Sequence, residues 1–230
     1  DKNEYILVQT PQISKLKELT NAMNKCTESN IDIPDESFAI EHIGLKSSRI
    51  LGRRTNIKIT EKHDFDLLNK FITRGGIGFD LHKYQEGSGI ILGGYMLECD
   101  LQIIAHSDGD VLLHSIADSI LGASGQGDIG KYFSDQDPKN EGIDSKEIIE
   151  FCLETIKNKD LEIHNIDATL ICEEPKINPH RDSILKSLSK ILKIPVDSIG
   201  LKATTSEQIG IIGKNKAIAV QSFVNLREVS

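Results

Sequence analysis

The chain has 230 residues, of which 38% are apolar and 27% charged, a profile of one or two folded domains that excludes a disordered or fibrous chain. Its formal charge is −8, unevenly spread: residues 1–70 carry 11 Lys/Arg and 11 Asp/Glu, which leaves 16 against 24 in residues 71–230. That acidic body argues against binding nucleic acid through its phosphate backbone, no apolar run approaches the ~20 residues of a membrane span, and four scattered cysteines without a C-x-x-C pair indicate neither a zinc ribbon nor a disulfide framework.

In residues 1–70, Ile13, Leu16, Leu19 and Met23 recur at helical spacing, residues 30–37 with Pro34 read as a loop, and Ile57 with Ile59 fits a short strand. Arg49, Arg53 and Arg54 form a small basic patch that reads as a solvated face, and no chemistry is assigned here. The chain opens at Asp1 with no basic-plus-apolar leader, so any targeting segment is expected to have been cut away or to lie outside this sequence. From Arg74 the texture changes. Residues 74–82 read as a glycine-studded strand, 90–92 as a strand running into Gly93-Gly94, and 108–121 as a helix capped by Ser107 or Asp108 and stopped at Gly122. Asp144 with Glu147 resembles a capping box before a helix whose apolar stripe is Ile148, Ile149, Cys152, Leu153 and Ile156. Residues 163–172 alternate as a strand, Pro179 opens a helix, and strands follow at 199–203 and 217–224. Strands alternating with helices indicate an α/β or α+β domain whose sheet is covered by helices.

Asp80-Leu81-His82 sets a carboxylate and an imidazole at i and i+2, on one face of an extended chain. His114 falls two turns into its helix, on the side of Val111 and Ser115. Two His and one Asp make a three-ligand set that leaves a fourth zinc position open, the catalytic pattern. The competing reading is a satisfied core histidine and a coincidental Asp-x-His. Thr204, Thr205, Ser206 and Glu207 follow a strand and suit phosphate oxygens and a Mg²⁺ ion; by themselves they are better explained by a helix N-cap with its capping Glu. The turn from Gly125 to Gly130 lacks the Gly-Lys-Ser/Thr of a P-loop, while Asp128 suits hydroxyl recognition. His42, His63, His164 and His180 are isolated and read as surface, and no cysteine has a sequence neighbour that would activate its thiol.

In this order, RGGIGFDLHKY, AHSDGDVLLHSIADSILGASGQGDIGKYFSDQDP, NIDATLICEEPKINPH and LKATTSEQIG resemble the 2-C-methyl-D-erythritol 2,4-cyclodiphosphate synthase family of the non-mevalonate isoprenoid pathway. The resemblance covers nearly all of residues 71–230. It implies an α+β fold (α/β sandwich), a mixed β-sheet covered on one face by helices, in a homotrimer with sheets facing the three-fold axis and active sites between subunits. It also implies closure of a cyclic diphosphate on 4-diphosphocytidyl-2-C-methyl-D-erythritol 2-phosphate, a cytidine diphospho substrate, with release of CMP. Asp80, His82 and His114 would hold Zn²⁺, and Glu207 a Mg²⁺ or Mn²⁺ bridging the diphosphate. His106 and Thr205 would stabilise the transition state, and Ser107, Asp128, Ile129 and Gly130 would bind the erythritol part. Asp135 and Asp137 would lie in a loop near the substrate. Cys172, Glu174, Pro175, Lys176 and Ile177 would enclose cytosine, and Thr204, Ser206 and Lys214 the diphosphate. Lys214 stands where many members have Arg, which would turn a bidentate contact into a point charge; Gln102 stands where Gly is often found, which would alter the approach to His106; Ser206 for a common Thr and Tyr84 for a common Phe are mild changes.

Residues 1–72 are read as an N-terminal extension of unknown role and 73–230 as the synthase domain. Some relatives are fused to a cytidylyltransferase, but 70 residues fall short of that domain, so a single activity is expected. The extension, with 34 Ile, 21 Lys and 6 Arg in the chain, suggests an A+T-rich eukaryotic source and a plastid-type organelle, apicoplast or chloroplast; otherwise the protein is cytoplasmic. Two other readings remain: a zinc-dependent phosphohydrolase using Asp118 or Asp128 as base, and a non-catalytic metal or cytidine nucleotide-binding module.

Overall fold

The computed structural model describes residues 9–53, 56–62, 64 and 73–229, and the chain divides into two compact units, Asp1–Asp66 and Leu67–Ser230. In the first, α1 (Leu16–Glu28) and α2 (Glu36–His42) bury a small core of Ala22, Cys26, Ala39 and Ile40. Asp35 caps α2, its side chain accepting the Phe38 N–H at 2.8 Å, so Ser37 belongs to the helix rather than the expected loop. Leu16 is 79% exposed and Ile13 lies before α1; the small residues Ala22 and Cys26 form the buried stripe instead. Ile57 and Ile59 are exposed and belong to no strand, which corrects that expectation: two apolar residues do not make a strand without a neighbour to pair with. Arg49 and Arg53 are exposed, while Arg54 and His63 lie outside the described residues.

The second unit is built on β1 (Thr73–Glu86), β2 (Ile90–Leu92), β3 (Tyr95–Leu97), β4 (Leu101–Ile104), α3 (Val111–Ala123), α4 (Ser145–Lys157), β5 (Leu161–Ile171), α5 (Arg181–Leu192), β6 (Ile199–Thr204), α6 (Gly210–Gly213) and β7 (Ala217–Glu228). Five strands form a sheet in the order β4-β1-β7-β5-β6, with β5 and β6 parallel and the other pairs antiparallel. It is the expected mixed sheet. β2 and β3 make a separate hairpin, turned by Gly93 and Gly94 at φ 61° and 70°, the two positive angles a type I′ turn requires.

Along β1, burial alternates with the strand's period of two: Gly76, Gly78 and Tyr84 are buried and Asp80 and His82 half-buried, while Ile77, Phe79 and Leu81 point the other way. The buried face meets α3, which also packs on β7 and α4 and is therefore apolar nearly all round, from Val111 to Ala123. α3 lies so close that a Cβ on Gly78 would sit 1.8 Å from the Ser115 carbonyl oxygen, and one on Gly76 2.1 Å from that of Ser119. Asp110, not Ser107 or Asp108, caps α3: its fully buried carboxylate accepts the Leu113 N–H at 3.0 Å and the N–H groups of Gly93 and Gly94 at 2.9 and 2.6 Å. One side chain thus ties the hairpin to the helix start. Gly122 lies inside the helix, one residue before its end.

The opposite sheet face is open in the single chain. Ile77 pairs with Phe223 across β1 and β7, and these two, with Phe79 and Leu81, are between 39% and 66% exposed. Large apolar side chains thus lie together on an exposed face.

Candidate functional site

Strand period and helix pitch bring three side chains to one point. Asp80 and His82 leave β1 on its helix-covered face, and His114, buried in the first turn of α3, comes down between them. Asp80 Oδ2 lies 3.1 Å from His82 Nδ1 and 3.2 Å from His114 Nδ1, and one donor atom from each residue falls within 4.8 Å of the others. The His82 contact is off the direction a hydrogen bond needs, so this nitrogen is buried with no hydrogen-bond partner.

Burial pushes the Asp80 carboxyl up, but the hydrogen bond from His114 and the charge of the nearby His82 and His114 rings outweigh it and hold the group well below the usual carboxylate range. Burial pulls the His114 imidazole down, and Asp80 outweighs that in turn, leaving it raised. The cluster is therefore an ionised carboxylate facing two imidazoles.

These donors fit a metal ion. A tetrahedral ion with bonds of about 2.0–2.1 Å sets its ligand atoms roughly 3.3 Å apart, close to the two spacings from Asp80 Oδ2. An unpartnered buried imidazole nitrogen is what a ligand position leaves when the ion is set aside. Among the described residues, Glu207 does not join the cluster: it is exposed, at φ 52°, and its Oε1 accepts the Thr205 hydroxyl at 2.9 Å. Around the cluster, Ser107 Oγ is 3.2 Å and Ser145 Oγ 2.9 Å from His114 Nε2. Asp118 accepts the Ile129 N–H at 2.8 Å; burial raises its carboxyl, against that hydrogen bond and with Asp128 and Asp80 adding to the rise.

A second group lies at the ends of β5 and β6. Cys172, Glu173, Pro175, Lys176, Ile177, Asn178, Ala203, Thr204 and Thr205 line a pocket of about 170 Å³. Cys172 N–H bonds to Thr204 O at 3.1 Å, and Tyr84 donates its hydroxyl to Glu174 O at 2.9 Å, fixing the turn. Glu173, which sequence reasoning passed over, clamps the facing loop: its Oε1 accepts Ser206 N–H at 3.0 Å, Ser206 Oγ–H at 3.1 Å and Gln208 N–H at 3.2 Å. Glu207 and Gln208 are both left-handed, so the chain turns here and no helix follows Thr204 directly, against the N-cap reading. Burial pushes the Cys172 thiol up to about 11, in keeping with no thiol chemistry.

The remaining expected positions surround these groups without closing on them. His106 is exposed, its carbonyl accepting Gly142 N–H at 2.7 Å. Asp128 caps the short turn of Ile129 and Gly130, Asp137 caps the turn at Pro138, and Asp135 and Lys214 are exposed. Ladder pairing puts Asp80, Val220, Leu170 and Ala203 in one row across β1, β7, β5 and β6, so the metal-type cluster and the pocket stand at the same level, three strand spacings or roughly 14 Å apart.

A model of the YgbB family matches residues 73–227, and a model of the 2-C-methyl-D-erythritol 4-phosphate cytidylyltransferase family matches residues 1–74. A bifunctional enzyme IspD/IspF of Aliarcobacter butzleri is 42% identical over 234 residues, covering 99% of this chain and 61% of that protein. Its counterpart in Campylobacter fetus is 39% identical over 236 residues, with 98% and 62% covered. Among solved structures, a CDP complex of IspF from Plasmodium falciparum is 36% identical at a TM-score of 0.61, covering 69% of this chain and 97% of that one. The bifunctional IspDF of Campylobacter jejuni is 35% identical at 0.67, covering 97% and 61%. The chain thus spans about three fifths of the length of the curated relatives it matches. The match over residues 1–74 means that the segment read as an extension is similar to part of a cytidylyltransferase family. The plastid-type location has no support, because both curated relatives are bacterial. Among the described residues no helix is long and apolar enough to cross a membrane.

Proposed function

The chain belongs to the YgbB family, and we propose that its residues 73–230 close a cyclic diphosphate on 4-diphosphocytidyl-2-C-methyl-D-erythritol 2-phosphate. A 2-phosphate oxygen bonds to the β-phosphorus, the bond from that phosphorus to the bridging oxygen breaks, and CMP leaves with the electron pair. The convergence of Asp80, His82 and His114 carries the reading. Nucleophile and electrophile are both anionic, and unit charges ~4 Å apart repel by about 4 kcal/mol at an effective dielectric near 20. Held by these three residues, Zn²⁺ would act as a Lewis acid and template. The phosphate needs no base to become a nucleophile, so the chain's own task is orientation. His106 and Ser107 would fix the erythritol phosphate, Asp128 the hydroxyls, the turn at Cys172 to Ile177 the cytosine, and Thr204 and Thr205 the diphosphate, with Glu207 holding Mg²⁺ or Mn²⁺.

Incubation with the cytidine diphospho substrate tests this: CMP with a cyclic diphosphate is expected. CDP or free phosphate would indicate a phosphohydrolase, and tight CMP binding without turnover a binding module.

A diphosphate is far smaller than the gap between cluster and pocket, which supports a site completed by a neighbouring subunit. The exposed face of Ile77, Phe79, Leu81 and Phe223 suits a trimer with the sheets inward. Phe79→Asp is expected to lower the mass in light scattering from trimer to monomer and to abolish turnover. Mixed His82→Ala and Thr205→Ala chains, each inactive alone, are expected to recover part of the activity; no recovery would count against the shared site. For the whole protein, a cytidylyltransferase activity is proposed for the part that includes residues 1–74, where Thr10, Gln12, Asp35, Asn56 and Lys58 border a groove of about 490 Å³.

A further inference from the structure

Ser145 is the first residue of α4, polar and fully buried, 31 positions from the histidine it touches. Its hydroxyl stands between two groups, with Oγ 2.9 Å from His114 Nε2 and 2.5 Å from Asp108 Oδ1. Asp108 holds the same residue a second time, its Oδ2 accepting the Ser145 N–H at 3.2 Å. The donors can be ordered. His114 presents Nδ1 to Asp80, and an imidazole that binds a cation through Nδ1 keeps its ring proton on Nε2. Of the two hydroxyl oxygens near that N–H, Ser145 at 2.9 Å is closer than Ser107 at 3.2 Å, and accepting it leaves the serine hydrogen for the Asp108 carboxylate, an acceptor only.

We propose that Ser145 and Asp108 are positioning residues for the metal centre, a carboxylate–hydroxyl–imidazole relay that fixes the ring and tautomer of His114. This rests on the metal reading of Asp80, His82 and His114 given above. The relay does for His114 what a directly bonded carboxylate does for other metal-bound histidines: it holds the ring and makes the coordinating nitrogen a better donor. It also joins the centre to the turn and loop on either side. Asp108 N–H bonds to Ile143 O at 3.1 Å and Gly142 N–H to His106 O at 2.7 Å, so the segment entering α4 and the His106–Asp108 turn are fastened together where Ser145 meets the imidazole.

Zinc affinity by chelator competition on the purified full chain tests the relay. Ser145→Ala is expected to bind zinc about 10–100-fold more weakly, with turnover at saturating zinc recovering further than turnover at limiting zinc. Asp108→Asn, which keeps an acceptor oxygen but loses the charge, is expected to fall between Ser145→Ala and wild type. Ser119→Ala controls for the loss of a buried hydroxyl, since Ser119 bonds to the Ile116 carbonyl and lies 3.2 Å from Ser222, away from the cluster. It is expected to shift the melting temperature while leaving zinc affinity as in wild type. Tight wild-type binding that Ser145→Ala leaves within two-fold would overturn the relay alone. Equal weakening by Ser119→Ala would also overturn it, by reducing the effect to stability. Wild-type protein that takes up no zinc would overturn the metal reading and the relay with it.

Discussion

Replacing His82 by Ala is expected to strip the protein of its metal and to cut CMP release by at least about 10²–10³-fold, with the fold intact. Three side chains supply the donors, so the loss of one leaves two, and no fourth His, Cys, Asp or Glu joins them among the described residues to take its place. His82 is the cleanest position to test because it is half-buried and its Nδ1 has no hydrogen bond to lose. His114→Ala would also empty a buried site and release Ser107 and Ser145, and Asp80→Ala would leave two imidazoles facing each other without their anion. Both variants should therefore lose stability along with metal, whereas His82→Ala should lose metal alone. Elemental analysis with the CMP assay decides it. A His82→Ala chain that keeps a full complement of zinc and its turnover would remove these residues from the centre.

The half of this site that lies on β1 was legible because a strand's period is local: i and i+2 share a face whatever the rest of the chain does. His114 was not legible in the same way. Helical spacing placed it on a semi-buried face, which fits a core histidine equally well, and only the long motif it belongs to pointed to a ligand. Ser145 left no signal beyond the neighbouring capping residue Asp144, because its role depends on where the start of α4 lands in space. The shift of the α3 cap to Asp110 has a plain cause: Gly109, at φ 77°, turns the chain after Asp108, so Asp110 and neither of the two expected caps faces the helix. β3 and β4 are too short to show alternation and, unlike β2, do not run into a Gly-Gly turn that marks them; their identity as strands comes from pairing with β2 and β1. In residues 1–74 the helical spacing around α1 was visible, but α2 was not, because its first turn falls in the stretch that Pro34 makes read as a loop.

The contact between β1 and α3 predicts a second large effect, this time on stability. Gly78→Val is expected to lower the stability of the second unit by at least about 3 kcal/mol, or its melting temperature by roughly 10 °C, since the branched carbon would fall against the Ser115 main chain. Backbone cannot rotate aside as a side chain can: a Cβ at this position meets the Ser115 carbonyl oxygen at 1.8 Å, its carbon at 2.8 Å and the Ser119 nitrogen at 3.0 Å. The helix would have to retreat from the strand, and it carries His114 with it, so zinc affinity should fall in step with stability although no ligand has been touched. Gly122→Ala provides the contrast within the same helix. It has open space around its Cβ position, and Ala is the better helix former, so a gain of about 0.5–1 kcal/mol is expected with zinc affinity unchanged. Calorimetry on the two variants separates the explanations. If Gly78→Val melts within a degree or two of wild type, the close approach of α3 is not what demands glycine on β1, and the alternation of Gly76 and Gly78 with Ile77 and Phe79 would need a cause on the open face of the sheet instead.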